Sequence, residues 1–529
     1  MVDNRGTTTN VFDELNRATS ESESGLLGVG GHTNTYAYDP SGNLKAYNDA
    51  AGTVAYRHNL VNLVDQITEP GAATTTVTYD DANRRDKVTY PNGVVEDSDY
   101  DDSGRIKAIT AKKADQSVLT SFAYDYKQAD QAGADGSLRS SVTENVPNLL
   151  NEVTTYTYDG LNRLDTAVTK SLPGGAQTHA WDYDYDRRSN RTCEAADGAK
   201  TRYSYNDAYQ LTSAGSTASC ATAPAGPTTF TYDGVGNQVT SSGGQGFSYN
   251  PKNQTTSITP PGGAAKTYDY TGATQDRRTR AGDTSFTNSL LGVSYSYTGT
   301  LLPALTPLTA WTRDDQGTLI GQRSPGGARH YYLFDGLGSV VAMTDAAGNV
   351  VNRYRYDPYG KPMAGPGTRE DVANPWRYAA GYRDSDTGFT KFGARYYDPT
   401  LGRWTQQDPS GQDANPYSYV GGDPVNKADP SGLKSGYCFL IHNDESYEDP
   451  DTSGCVGGGV LKGLFHGAKR TAEYGYSCAE RGIELAAPVT GAVVWAGVGD
   501  LAIGAVTFGV GCGIGVAEEY LNAYYEGKD

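Results

Sequence analysis

Asp408 and Asp429 each open an Asp-Pro-Ser-Gly tetrad, Asp408-Pro409-Ser410-Gly411 and Asp429-Pro430-Ser431-Gly432, within the stretch from Arg395 to Leu433. Two aspartates held close together cannot both ionise cheaply. They share a proton, and such a pair can activate a water against an amide. Each Asp precedes a Pro, which fixes the local backbone and biases the Asp towards an extended conformation. Each tetrad ends in Gly, which permits a tight turn. The same residues also spell an Asx turn, in which the carboxylate accepts only backbone N–H groups. Arg403, five residues before Asp408, can orient a carboxylate or polarise a carbonyl through its guanidinium. It can equally form an ion pair across two strands.

These residues need a frame, and the chain supplies one by repetition. The cleanest copies are Tyr36-Ala-Tyr38-Asp39-Pro-Ser-Gly42-Asn43-Leu44, Tyr100-Asp101-Asp-Ser-Gly104-Arg105-Ile106 and Tyr156-Thr-Tyr158-Asp159-Gly-Leu-Asn162-Arg163-Leu164. Others stand at Tyr232-Asp233, Phe334-Asp335 and Tyr356-Asp357. The interval is irregular, on the order of twenty residues, in the range where a repeat is one supersecondary unit. Alternating Thr, Tyr and Val before the motif read as a strand of period two. The Asp-x-x-Gly that follows reads as a turn in which Asp accepts an N–H and Gly takes the left-handed position. One such hairpin is marginal alone, so the hairpins are expected to pair edge to edge into a continuous all-β sheet with a ladder of Tyr side chains. Thr212–Thr229 and Pro362–Gly367 read as surface loops, and Ser289–Leu308 is less motif-like and is assigned to no element.

Composition agrees: 40 Tyr against 11 Phe and 3 Met, with 65 Gly, suits short strands and tight turns better than helices. The formal charge of −18 argues against a shell that binds nucleic acid, because phosphate recognition needs a basic stripe. Cys193 and Cys220 lie among the repeats, and Cys438, Cys455, Cys478 and Cys512 follow Leu433. Their spacing suits no zinc site, so neither a metal nor another cofactor is expected. The cluster after Leu433 permits disulfides, which fits export. Met1-Val2-Asp3-Asn4-Arg5-Gly6 has no apolar signal region, so the chain reads as the downstream part of a longer protein.

From Arg395 to Leu433 the string resembles, nearly landmark by landmark, the core-associated segment of Rhs/YD-repeat proteins. The landmarks are Ala394-Arg395-Tyr396-Tyr397-Asp398-Pro399, Gly402-Arg403-Trp404, Gln407-Asp408-Pro409, Asn415-Pro416-Tyr417-Ser418-Tyr419-Val420 and Asp429-Pro430-Ser431-Gly432-Leu433. The resemblance is loose from about residue 5 and close from Arg329 onward. It implies a sheet that spirals into a shell-like cocoon, with repeats over 1–328, the core over 329–433 and a variable C-terminal region over 434–529. It further implies an aspartyl autoprotease, with Asp408 and Asp429 as the catalytic pair and Leu433–Lys434 as the scissile bond. Gln412 departs from the family pattern, which usually has Leu after the first tetrad.

After Leu433 the repeats stop. Residues 461–484 suit a polar helix, and Leu501–Ala517 is an uncharged, Gly/Ala-rich span near the lower limit for crossing a bilayer. The region reads as a membrane-active toxin, as a connector to one, or as a buried hairpin of a small soluble domain. The leading expectation is a toxin shell that encloses its own tail as cargo and releases it by self-cleavage, with an immunity protein and secretion machinery as partners. Its expected location is secreted or at the cell surface. The competing expectations are a non-catalytic surface or adhesion scaffold and a fragment of a larger Rhs protein.

Overall fold

The computed structural model describes residues 2–3, 6–24, 32–126, 136–271, 275–299 and 306–437. The expectations for the tail beyond Tyr437, its helix, its apolar span and its four cysteines, lie outside the described residues.

The repeats are hairpins closed by an aspartate, or by an asparagine as at Asn59, Asn206 and Asn250. In the copy at Asp101, the Gly104 N–H donates to the Asp101 carbonyl at 2.9 Å and the Asp101 N–H to the Arg105 carbonyl at 2.9 Å. The Asp101 carboxylate accepts the N–H groups of Ser103 (3.0 Å) and Arg105 (2.9 Å) through Oδ1. Its Oδ2 accepts the Arg105 Nε–H at 2.7 Å. Gly104 sits at φ +80°, where an L side chain is strained. Asn83 and Asn162 take that place in their copies at φ +60° and +59°, the positive-φ alternative that Asn tolerates best.

The motif tyrosine then ties one hairpin to the hairpin before it. Tyr126 lies under the Arg105 guanidinium at 4.3 Å, and its hydroxyl donates to the Ile106 carbonyl at 2.8 Å. Tyr100 repeats this with Arg84 and the Arg85 carbonyl, and Tyr185 with Arg163 and the Leu164 carbonyl. A phenylalanine could stack but could not reach the carbonyl, which accounts for the excess of Tyr.

Among the described residues the hairpins join one antiparallel sheet of 33 strands. Pairing runs from neighbour to neighbour, from Gly6–Phe12 with Ala18–Ser24 to Val350–Arg353 with Arg369–Glu370. The ladder passes residue 328 unbroken, because Gly321–Arg323 pair with Arg329–Tyr331. Ser289–Leu308 supplies the strand Gly292–Thr298 and the start of Thr306–Arg313. The expected loop Thr212–Thr229 is shorter than its composition suggests. Leu211–Thr217 and Thr228–Tyr232 are strands, because Leu211, Ala214 and Phe230 find a buried face. Within the remaining loop Cys220 is disulfide-bonded to Cys193, a pairing that suits an oxidising compartment.

The sheet curls back on itself as a spiral. Asn34 donates to the Asn288 carbonyl (2.7 Å), Tyr56 to Arg313 (2.8 Å), Tyr90 to Tyr332 (2.7 Å), and the Gly336 N–H donates to the Tyr124 hydroxyl (2.7 Å). Both members of each pair advance along the chain together, as adjacent turns of a spiral must. Strand twist of constant hand produces such curling. The last described part, residues 378–437, packs onto strands near the middle of the chain. Arg191 donates to the Leu401 carbonyl, Tyr417 to Gly236, and Gln406 to Asn253. It carries a small sheet, Tyr382–Arg383, Thr390–Phe392, Arg395–Asp398 and Arg403–Trp404. Phe392, Tyr397, Trp404 and Tyr419 meet there with ring centroids 4.5–6.0 Å apart.

Candidate active site

Both tetrads form the same turn. The Gly411 N–H donates to the Asp408 carbonyl and the Gly432 N–H to the Asp429 carbonyl, each at 3.2 Å, with the glycines at φ +67° and +64°. The Asp408 carboxylate accepts the N–H groups of Ser410 (3.0 Å), Gln412 (3.0 Å) and Asp413 (3.2 Å). The Asp429 carboxylate accepts the Ser431 hydroxyl at 2.9 Å and the N–H groups of Leu433 and Lys434, both at 3.1 Å. The Asx-turn reading is therefore correct for both aspartates. It does not exhaust their roles, because both are buried, at 7% and 1% exposure. Gln412 contributes its backbone N–H and leaves its side chain exposed, so the departure at this position costs Asp408 no hydrogen bond.

The second tetrad is pressed against the small sheet. The Ala394 N–H donates to the Ser431 carbonyl at 2.7 Å, and a Cβ on Gly432 would stand 2.6 Å from the Phe392 carbonyl oxygen. Only glycine fits there. The contact brings Asp429 to Arg395, the first residue of the strand Arg395–Asp398. Arg395 is 1% exposed and lies 4.1 Å over the Trp404 ring. It donates to the Gly432 carbonyl through Nε (2.6 Å), to the Pro416 carbonyl through Nη1 (3.2 Å) and to Asp429 Oδ2 through Nη2 (3.0 Å). Burial pulls the Arg395 pKa down, and Asp429, Asp408 and Asp413 oppose that pull. Asp413 completes the group, 3.9 Å from Arg395 Nη2. Its carboxyl is pushed up to about 6 by burial, with Asp408 and Asp429 adding to the rise and Arg395 resisting it.

Arg395 thus serves three carboxylates, with Lys427 adding a weaker pull on Asp413, and the Leu433–Lys434 amide lies among them. Its N–H faces Asp429 Oδ1 at 3.1 Å, and its carbonyl oxygen lies 3.0 Å from the Ser410 hydroxyl, which contacts the Asp408 carboxylate at 2.7 and 2.8 Å. Four expected residues, Asp408, Asp429, Leu433 and Lys434, come together.

Arg403 does not join them. It donates to the Tyr209 carbonyl at 2.8 Å and lies 5.0 and 5.1 Å from the rings of Tyr205 and Tyr417. Neither the carboxylate-orienting role nor a cross-strand ion pair is seen for it. The reason is strand parity: its neighbour Trp404 lies against Arg395, so Arg403 projects from the opposite face. The arginine of the site is Arg395, which the Ala-Arg-Tyr-Tyr-Asp-Pro landmark contains. Ser410 and Asp413 were also missed, and a polar residue inside or just after each tetrad was the available signal. As for metals, Asp184, Cys193 and Cys220 form the one grouping of suitable ligand atoms among the described residues, and its two sulfurs are spent on the disulfide.

A spiral of Tyr-Asp hairpins closed by such a core defines a YD shell. The Teneurin YD-shell family matches residues 138–418, more than half of the chain, and the chain belongs to that family. Among its relatives is the tRNA3(Ser)-specific nuclease WapA of Bacillus spizizenii, 32% identical over 129 residues, 23% of this chain and 6% of WapA. The toxin subunit YenC1 of Yersinia entomophaga is 32% identical over 126 residues, 23% of this chain and 12% of that subunit. The crystal structure titled TcdB2-TccC3-Cdc42 superposes with a TM-score of 0.64 at 20% identity, over 82% of this chain and 24% of that one. The chain is a YD-shell scaffold that spans a minor part of the length of these relatives.

Proposed function

We propose that this shell is an aspartyl autoprotease that cuts its own chain after Leu433 and so frees residues 434–529 as cargo. The observation that carries this reading is the position of one amide between the turns of two buried aspartates. The Lys434 N–H is held by Asp429, and the Leu433 carbonyl lies one hydroxyl away from Asp408. The two carboxylates work as acid and base on a water attacking the Leu433 carbonyl. Arg395 fixes Asp429 and the Gly432 carbonyl, one residue before the bond. The chain's own continuity keeps the bond beside its carboxylates, so binding costs little entropy.

The freed region is the effector of a toxin, acting in competition between bacteria. The toxin names carried by several relatives support this placement. An immunity protein, an export route and a secreted or cell-surface location belong to the same reading.

The test is the intact mass of the purified chain. Wild type is expected as two pieces, 1–433 and 434–529, with Lys434 as a new N-terminus and with yield of cut chain independent of concentration. Asp429→Asn and Asp408→Asn should each stay whole, since the amide takes no proton from water and is nearly isosteric. A wild-type chain that folds and remains single would make the shell a scaffold only. Two Asn variants that still cut at Leu433 would assign the chemistry to another group.

A further inference from the structure

We propose that Ser410 is a catalytic residue of this cleavage, its hydroxyl carrying a proton between the Asp408 carboxyl and the Leu433 carbonyl oxygen. This rests on the self-cleavage reading and adds a group that the aspartate pair alone does not include. Ser410 Oγ lies 2.8 and 2.7 Å from Asp408 Oδ1 and Oδ2 and 3.0 Å from the Leu433 oxygen. A hydroxyl has one proton to donate and two lone pairs with which to accept. With Asp408 ionised, that proton goes to the carboxylate and the Leu433 carbonyl receives nothing from it. With Asp408 protonated, the direction reverses: the carboxyl donates to Ser410, and Ser410 donates to the Leu433 oxygen. The second arrangement satisfies all three groups and polarises the amide for attack.

The second tetrad shows what sets Ser410 apart. Ser431 holds the same place in an identical tetrad, and both hydroxyls accept a backbone N–H of their own turn, Ser410 that of Gln412 at 3.3 Å. What Ser410 adds is its contact with the Leu433 oxygen. The Ser431 hydroxyl donates to Asp429 Oδ1 at 2.9 Å and accepts the N–H groups of Leu433 (3.1 Å) and Lys434 (3.3 Å). The two tetrads therefore address opposite ends of one amide. The first reaches the carbonyl oxygen through Ser410, and the second reaches the nitrogen through Asp429.

The proton count closes with water as the sole co-reactant. Water forms a bond to the Leu433 carbonyl carbon while the Asp429 carboxylate takes one of its protons. The carbonyl π pair moves onto oxygen, which takes the Ser410 proton, and Ser410 is refilled from Asp408. The resulting diol collapses as the carbon–nitrogen bond breaks. Asp429 then returns its proton to the Lys434 nitrogen, and one diol proton passes back through Ser410 to Asp408. One carboxylic acid and one amine are produced, and both aspartates end as they began.

The test compares Ser410→Val with Ser410→Thr, which share a shape and differ in the hydroxyl. Each full-length chain is pulse-labelled in cell-free synthesis, and conversion into 1–433 and 434–529 is timed on gels. Loss of the relay should slow Ser410→Val by roughly 100-fold, the range seen for a general acid or an oxyanion donor. Ser410→Thr should recover at least about tenfold of that loss. Folding is checked by melting both variants in an Asp429→Asn background, where the chain stays whole. Equal cleavage by the Val and Thr variants would overturn the relay and leave self-cleavage standing. A wild-type chain that never cuts would overturn self-cleavage itself, and the relay with it. If the β-branched variants do not fold, Ser410→Ala against wild type decides, and a rate within about threefold of wild type overturns the relay.

Discussion

Replacing Arg395 by Met removes the buried guanidinium of the site and leaves a shorter apolar side chain. Asp429, 1% exposed, then holds a buried carboxylate without its partner at 3.0 Å, and the carbonyls of Gly432 and Pro416 lose a charged donor. Breaking a buried pair by removing one partner costs about 3–5 kcal/mol. The assay is hydrogen exchange of the Leu433 and Lys434 amides, which both donate to Asp429 Oδ1, in an Asp408→Asn background that keeps the bond whole. These amides exchange through local opening, so the loss reads directly as protection. At about 1.4 kcal/mol per tenfold, protection should fall by roughly 100- to 3000-fold. Adding Asp429→Asn should restore at least about tenfold, because the unpaired charge goes while an amide oxygen still accepts both N–H groups. Unchanged protection in Arg395→Met, or no recovery in the double variant, would refute the claim that this ion pair holds the scissile segment.

Two further outcomes follow from the site and its frame. The Asp413 carboxyl titrates at about 6 in the folded chain against an ordinary 3.8, so the folded chain binds this proton more tightly than the unfolded one. Stability from this group is whole below its unfolded value and is lost as pH rises towards about 6. Asp413→Asn should therefore melt above wild type at pH 7 and level with it at pH 3.5, and melting curves at both pH values check this. In the repeats, Gly104→Val forces a β-branched residue to φ +80° and should cost about 1–2 kcal/mol. Gly104→Asn should cost less, since Asn83 and Asn162 already fill that turn position, and urea unfolding of the two variants compares them.

The hairpin rule was legible from residues alone because its chemistry is local. An aspartate, its left-handed Gly or Asn and the Arg or Asn that clamps it fall within five consecutive residues, as at Asp101 and Arg105. Turn geometry over so short a span hardly depends on the rest of the fold. The stacking of hairpins into one sheet followed from the same repetition, and the tetrads marked Asp408, Asp429 and Leu433–Lys434 by their type and spacing. Three matters were decided only in three dimensions. Strand parity chose between two arginines eight residues apart, turning Arg403 towards Tyr205 and Tyr417 and Arg395 towards Asp429. The docking of the second tetrad against Phe392 and Ala394 laid Leu433 beside Ser410, 23 residues earlier in the chain. The same folding half-buried Asp413 beside Arg395, a contact its position in the sequence does not reveal. Sequence spacing cannot foresee these contacts, because each depends on the register of strands and on the spiral closing over parts of the chain far apart in order.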